Sequence, residues 1–478
     1  MTQAKDKLKT ATIISMLADV ETPVSAFHKL STDVETAFLF ESSESDTRLA
    51  RFSIMGVDPI KTITLKNGTA SIANQSSLEE ITFFDPLKLL KEQLTSFRQS
   101  IEPSKSLIDL PFAGGLVGYL GYAITKYFEG IPQQERDPFN VPEGFYGLYD
   151  SVIIFDHLLR IIHIISYRGK DHAETLQNKL LSSGHLPSLS IGGSMSDEEL
   201  FANVKGPFSK ETFMSAVKDC KTFITQGEVF QIVVSHRFSQ PIKSDALTIY
   251  RILQAINPSP YAYFLKCPHF AYLGSSPETF VRAKHGDALL RALAGTRPRG
   301  ETEEEDNRLA NELQNDEKEL AEHRMLVDLG RNDLGRICQV GTVTVGQIAQ
   351  ITRYCHVMHL ATDVTGKLNS HKDCFDLVRA CFPRGTVSGA PKIRAMQLLS
   401  QMEPEQRGIY SGTVGYFDCF GNTDGAIAIR SAVIKDGYAH VNAGAGIVYD
   451  SDPLSEYNET CNKAKSVLTA IKLAERLQ

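Results

Sequence analysis

The chain has 478 residues, 42% of them hydrophobic and 22% charged, with a formal net charge of −7. That length supports a large core and more than one domain, and the lack of any Lys or Arg run argues against a nucleic-acid partner, whose phosphates need clustered cations. Eight cysteines, none in a CxxC pair, fit buried thiols in a reducing cytosol.

In chain order, "MTQAKDKLKTATIISMLADV" sets lysines ahead of a short apolar stretch that carries Thr12 and Asp19 and lacks a small-residue cleavage pattern, so no signal peptide is expected. No apolar run approaches the ~20 residues that span a bilayer, so no membrane partner is expected and the cytoplasm is the expected location. "GGLVGYLGYAITKYFEG" reads as a glycine-spaced stretch entering a helix, and "SVIIFDHLLRIIHIISY" as two strands around a turn at Asp156-His157. Ser, Gly and Pro then interrupt the pattern at 181–200, which predicts a linker between a domain over 1–190 and another over 205–478.

Beyond the linker, "VFQIVVSHRFSQ", "YAYFLKC", "FAYLGSS", "TFVRAKHGDALLRALAG", "HVMHLATDV" and "AIAIRSAVIKDGYAHVNAGAGIVY" are β-branched and aromatic, and predict strands. Helices are predicted at 210–226, 246–255, 304–329, 373–381, 391–402 and 454–476. Strands and helices do not alternate strictly, which predicts an α+β fold of antiparallel β-sheets packed as a sandwich with helices outside, not a doubly wound parallel sheet.

Two helical stretches carry paired carboxylates at a spacing of three, Glu319 with Glu322 and Glu456 with Glu459, the latter followed by Lys463 one turn on. Such pairs are common on solvated faces; two pairs facing each other in a cleft would repel unless a cation sat between them. Oxygen-only ligands would suit Mg²⁺ rather than zinc. Gly444 and Gly446, read as a turn at a strand end, could bring amides close to an anion or serve backbone angles alone. "FPRGTVSGAPKIRAM" offers a similar loop around Thr386, although Lys392 is misplaced for a Walker A motif. Alternation in "GAIAIR" puts Ala426, Ala428 and Arg430 on one strand face, where a long cation among small neighbours would suit a carboxylate. His359 shares a face with Val357 and Ala361, while His356 points the other way.

Taken together, "LAGTRPRG", "DEKELAEHRMLVDLGRNDLGR", "YCHVMHL", "FPRGTVSGAPK", "YSGTVGYFD" and "NAGAGIVYDSDPLSEYNET" closely resemble the chorismate-utilising enzymes in content and order. "FLFESSESDTRLARFSIMG", "GGLVGYLGY" and "GLYDSVIIFDH" extend the resemblance over nearly the whole chain. Members that add water to chorismate carry a lysine where this chain has Gln231, and many aminodeoxychorismate synthases carry one at the position of Ala294, before Gly295-Thr296. The resemblance therefore implies the anthranilate synthase component I branch, with a lysine-independent aminodeoxychorismate synthase or a non-catalytic amino-acid-binding paralogue as rivals.

What that resemblance implies is specific. Mg²⁺ would be held by Glu322 and Glu459, completed by Glu319 and Glu456, against the ring carboxylate of chorismate. Arg430 and Tyr410 would take the enolpyruvyl carboxylate, with Gly444, Ala445 and Gly446 at the ring carboxylate and Thr386 and Lys463 nearby. Glu319 would protonate the leaving C4 hydroxyl, and His359 would handle the C2 proton. No G-x-C-x-G glutaminase motif is present, which implies a hetero-oligomer with a glutamine amidotransferase subunit that supplies ammonia. Feedback by tryptophan is implied through Glu41, Ser42, Arg51, Pro260, Tyr261, Ala262, Val414 and Tyr416, with Phe40 and Ala262 departing from the family's usual residues.

Overall fold

The computed structural model describes residues 8–42, 51–102, 104, 107–184, 186–190, 192, 195–354 and 357–477. His356 and residues 43–50 of the "FLFESSESDTRLARFSIMG" stretch lie outside them. Among the described residues no helix is long and apolar enough to cross a membrane.

Period-two alternation builds two large antiparallel sheets. Phe38, Ile54, Val152 and Ile154 of one face Ile63, Leu65, Val117 and Phe145 of the other in a shared apolar core, where the rings of Tyr119 and Tyr272 meet across the sheets at 6.0 Å. The alternate residues Leu39, Met55, Ile153 and Phe155 point to the opposite face, where they pack with Phe27, Leu176, Leu253 and Leu468 from four helices. Helices Pro86–Ser100 and Cys374–Cys381 pack on the other sheet. This is the expected α+β sandwich with helices outside.

The sheets do not respect the linker. In one, Gly115–Leu120 from the first half pairs with Thr413–Asp418 from the second. In the other, Ala37–Glu41 pairs with Tyr261–Cys267. Each sheet therefore runs continuously through both halves, and the division at 190/205 does not separate two sheets or two cores.

Two local expectations change. The helix predicted over 304–329 is two helices, Glu303–Asn315 and Glu317–Gly335. Asp316 breaks it: its backbone is extended and its side chain accepts from the amides of Lys318 and Glu319, capping the second helix. The strand predicted through Arg430 stops at Ile427, and the chain resumes at Ser431 in the other sheet. Arg430 sits in that crossing with φ of +51°, not on a strand face beside Ala426.

Candidate active site

The capped helix Glu317–Gly335 and the helix Pro453–Arg476 bring their glutamates to one cavity of about 500 Å³. Glu319, Glu322, Glu456 and Glu459 all line it, together with Gln231, Ala294, Gly295, Thr296, His359, Thr386, Tyr410, Arg430, Gly444, Gly446 and Lys463. Ala445 is the exception, since strand alternation turns it into a separate core with Phe213, Ile232 and Ala395.

Gly444 and Gly446 lie within the strand Tyr438–Ile447 and not in a turn. Their role is close approach: a Cβ on Gly444 would stand 2.6 Å from the Tyr410 hydroxyl, and one on Gly446 2.9 Å from the Gln231 amide nitrogen. The neighbouring strand Ser431–Lys435 pairs only as far as Val441, so this stretch presents an uncovered backbone edge. Lys463 Nζ already uses it, donating to the Gly444 carbonyl at 2.9 Å.

Each carboxylate has a definite neighbour. Gln231 Nε2 donates to Glu322 at 3.0 Å, and Lys463 pairs with Glu459 at 2.5 Å. Arg297 approaches Glu319 at 3.5 Å, while burial, followed by repulsion from Glu322, raises the Glu319 pKa. Burial also raises that of Glu456, whose Oε2 has no hydrogen-bond partner among the described residues. No group of three or more His, Cys, Asp or Glu side chains among the described residues is drawn together tightly enough to hold a metal ion. The donor set nevertheless fits a hard cation: four carboxylates share one cavity and one buried oxygen is unsatisfied.

Near Glu319, whose carboxylate would stand 3.1 Å from a Cβ on Gly295, His359 Nδ1 donates to the Gly295 carbonyl at 2.7 Å. That bond fixes the tautomer of the neutral ring and leaves Nε2 as the basic nitrogen; burial, helped by Arg430 and opposed by the Gly295 bond, lowers the pKa of the ring. Arg430 Nη1 donates to the Lys463 carbonyl at 2.6 Å, tying the crossing segment to the helix Pro453–Arg476. Tyr410 is buried beside them.

Glu278 is the residue sequence reading missed. It lies between two strands in "SSPETF", 7% exposed, and lines the cavity. Burial pushes its pKa to about 7, against the pull of Arg384, the Thr386 hydroxyl and Lys463. Thr386 Oγ1 donates to it at 2.9 Å. A lone glutamate in a loop has no periodic partner to mark it; the only signal was a charged side chain between two apolar strands.

A second cavity of about 560 Å³ is lined by Glu41, Ser42, Pro260, Tyr261, Ala262, Val414 and Tyr416. Arg51 does not line it and instead binds Asp156 at 2.6 Å. The Glu41 carboxylate accepts from the Tyr250 hydroxyl at 2.6 Å and Gln254 at 2.8 Å, with burial raising its pKa. At the far side, the Tyr261 hydroxyl donates to Asp424 at 2.9 Å, which also pairs with Arg282.

A family profile described as chorismate binding enzyme matches residues 35–469. The chain is 41% identical over 472 residues to anthranilate synthase component 1 of Aquifex aeolicus, covering 97% of this chain and 94% of that protein. It is 40% identical to anthranilate synthase component 1 of Thermus thermophilus, covering 96% and 97%. The crystal structure of anthranilate synthase component I from Streptococcus pneumoniae superposes with a TM-score of 0.77 at 34% identity, covering 95% of this chain and 99% of that one.

Proposed function

The chain belongs to the chorismate binding enzyme family, and on that premise we propose that it is the chorismate-converting component of anthranilate synthase, a lyase that aminates chorismate with ammonia and eliminates pyruvate. That reaction opens tryptophan biosynthesis. The observation that carries the reading is the meeting of two glutamate pairs, Arg430 and a neutral His359 around one cavity. Incubating the purified chain with chorismate, Mg²⁺ and an ammonium salt should give fluorescent anthranilate and pyruvate. Accumulation of a non-aromatic amino adduct as the end product would overturn it.

Glu322 and Glu459, backed by Glu319 and Glu456, would hold a Mg²⁺ whose charge anchors the ring carboxylate. Arg430 and Tyr410 take the enolpyruvyl carboxylate, which a half-buried guanidinium binds more strongly than an exposed one because the cavity walls limit competing water. As ammonia adds at C2, the C4 hydroxyl leaves and needs a proton. Glu278 is the donor we assign in place of Glu319, because burial raises its pKa to about 7 even against the pull of Arg384, Thr386 and Lys463, so that it holds a proton near neutral pH outside the four-glutamate cluster. His359 Nε2 then takes the C2 proton as the C3–oxygen bond breaks, and enolpyruvate departs, becoming pyruvate while the ring aromatises. Gln231 occupies the position from which a lysine could activate water, and an amide cannot act as that base.

Ammonia reaches the cavity from solution or from a glutamine amidotransferase partner subunit; adding such a subunit should make glutamine a substrate without changing the product. The second cavity is assigned to tryptophan, with Glu41 beside its amino group and Pro260, Tyr261 and Ala262 around its ring. Isothermal titration with tryptophan, repeated on Glu41→Ala, tests that assignment.

A further inference from the structure

Arg407 lines neither large cavity, yet its side chain is only 1% exposed and that of its partner Glu403 3%. All five of its N–H groups are used. Nε and one Nη2 proton go to Glu403, with Nη2 at 2.5 Å. The other Nη2 proton goes to the Val233 carbonyl at 2.6 Å, and the Nη1 pair to the Val387 carbonyl at 2.7 Å and Ser411 Oγ at 3.0 Å. Glu403 in turn accepts from the Ser235 amide at 2.8 Å, and the Tyr122 ring covers the guanidinium at 4.5 Å.

Those acceptors belong to separate segments of the cavity wall. Val233 and Val387 line it themselves, and Ser411 follows Tyr410. Val387 also follows Thr386, whose hydroxyl holds Glu278. A buried ion pair is a poor stabiliser, since apolar residues of the same volume usually do as well. A planar fork of five donors does what they cannot: it fixes three backbone segments relative to one another. On the chorismate-aminating reading, we propose that the Arg407–Glu403 pair is a positioning device that holds the Thr386–Glu278 unit in register with the strand carrying Gln231. Lysine, with three donors on a single flexible point, cannot reproduce it.

The test is a double-mutant cycle on kcat with ammonium as nitrogen source, using wild type, Arg407→Lys, Thr386→Val and the double variant. Misplacing a reacting group by about an ångström costs up to ~100-fold, so Arg407→Lys is expected to lose about tenfold to a hundredfold in kcat, with KM for chorismate moving less than about threefold. In the Thr386→Val background the same change should cost less than about a third as much, because the unit it acts through is already broken. Equal losses in both backgrounds, an unchanged kcat, or a loss carried by KM alone would overturn the proposal. If Arg407→Lys does not accumulate as folded protein, the isosteric Glu403→Gln carries the same cycle with the same criteria. A wild type that makes no anthranilate fails the assigned reaction; a normal wild type with equal losses fails this inference alone.

Discussion

Glu278 and His359 face the cavity with oppositely shifted groups, one carboxyl whose pKa burial raises to about 7 and one imidazole whose pKa burial lowers. An acid works only while it holds its proton, so kcat/KM should fall as pH rises through about 7, the value that burial gives Glu278. Glu278→Gln should lower kcat by ~10²–10⁴ and remove that alkaline limb, with an unaltered circular dichroism spectrum; retention of the limb would reassign the acid to Glu319. His359→Asn keeps a donor for the Gly295 carbonyl but no basic nitrogen. It should slow the elimination more than the amination, so that liquid chromatography detects the amino adduct building up. At this scale the four glutamates were legible because their spacing marked them, whereas Arg430 was singled out by an alternation that the structure does not keep. Glu278 and Arg407 were not, since a lone charge between regular elements shows neither its burial nor the acceptors that distant segments bring together.

Secondary structure decides how those groups are presented. Asp316 ends one helix and caps the next, which aims Glu319 and Glu322 inward, and its other oxygen holds Arg297 at 2.8 Å. Asp316→Ala should cost about 1 kcal/mol in urea unfolding through loss of the cap, and should weaken activity through Glu319 before it affects the fold. Pattern reading ran one helix through this break because Asp316 falls between two segments of continuous helical periodicity. Strand periodicity likewise ran through Arg430, where the chain in fact changes sheets; so short a crossing carries too few positions to break an alternation. The glycines of Tyr438–Ile447 looked like a turn for the same reason: small residues in a strand can mean either a bend or a close neighbour. Here the neighbour is the buried Tyr410 hydroxyl, so Gly444→Ala should raise KM for chorismate by displacing it and, as overpacking, cost about 1–3 kcal/mol in urea unfolding.

On the scale of the molecule, local pattern reading located the antiparallel sandwich but not its continuity. Sheet partners such as Ala37–Glu41 with Tyr261–Cys267 are more than two hundred residues apart, and one sequence gives no register between them. The linker at 181–200 is real as composition but does not free either half. A fragment of residues 205–478 should therefore expose the edges of Tyr261–Cys267 and Thr413–Asp418 and aggregate, as light scattering would show.

The strand Asp287–Pro298 touches both cavities, with Asp287, Ala288 and Leu289 at the second and Leu293, Ala294, Gly295 and Thr296 at the first. If that shared strand has two arrangements which the two guests bind unequally, their affinities are interdependent. On the reading that assigns the second cavity to tryptophan, whatever factor tryptophan would remove from chorismate affinity, commonly about 5- to 150-fold between coupled sites, saturating chorismate would remove from tryptophan affinity in equal measure.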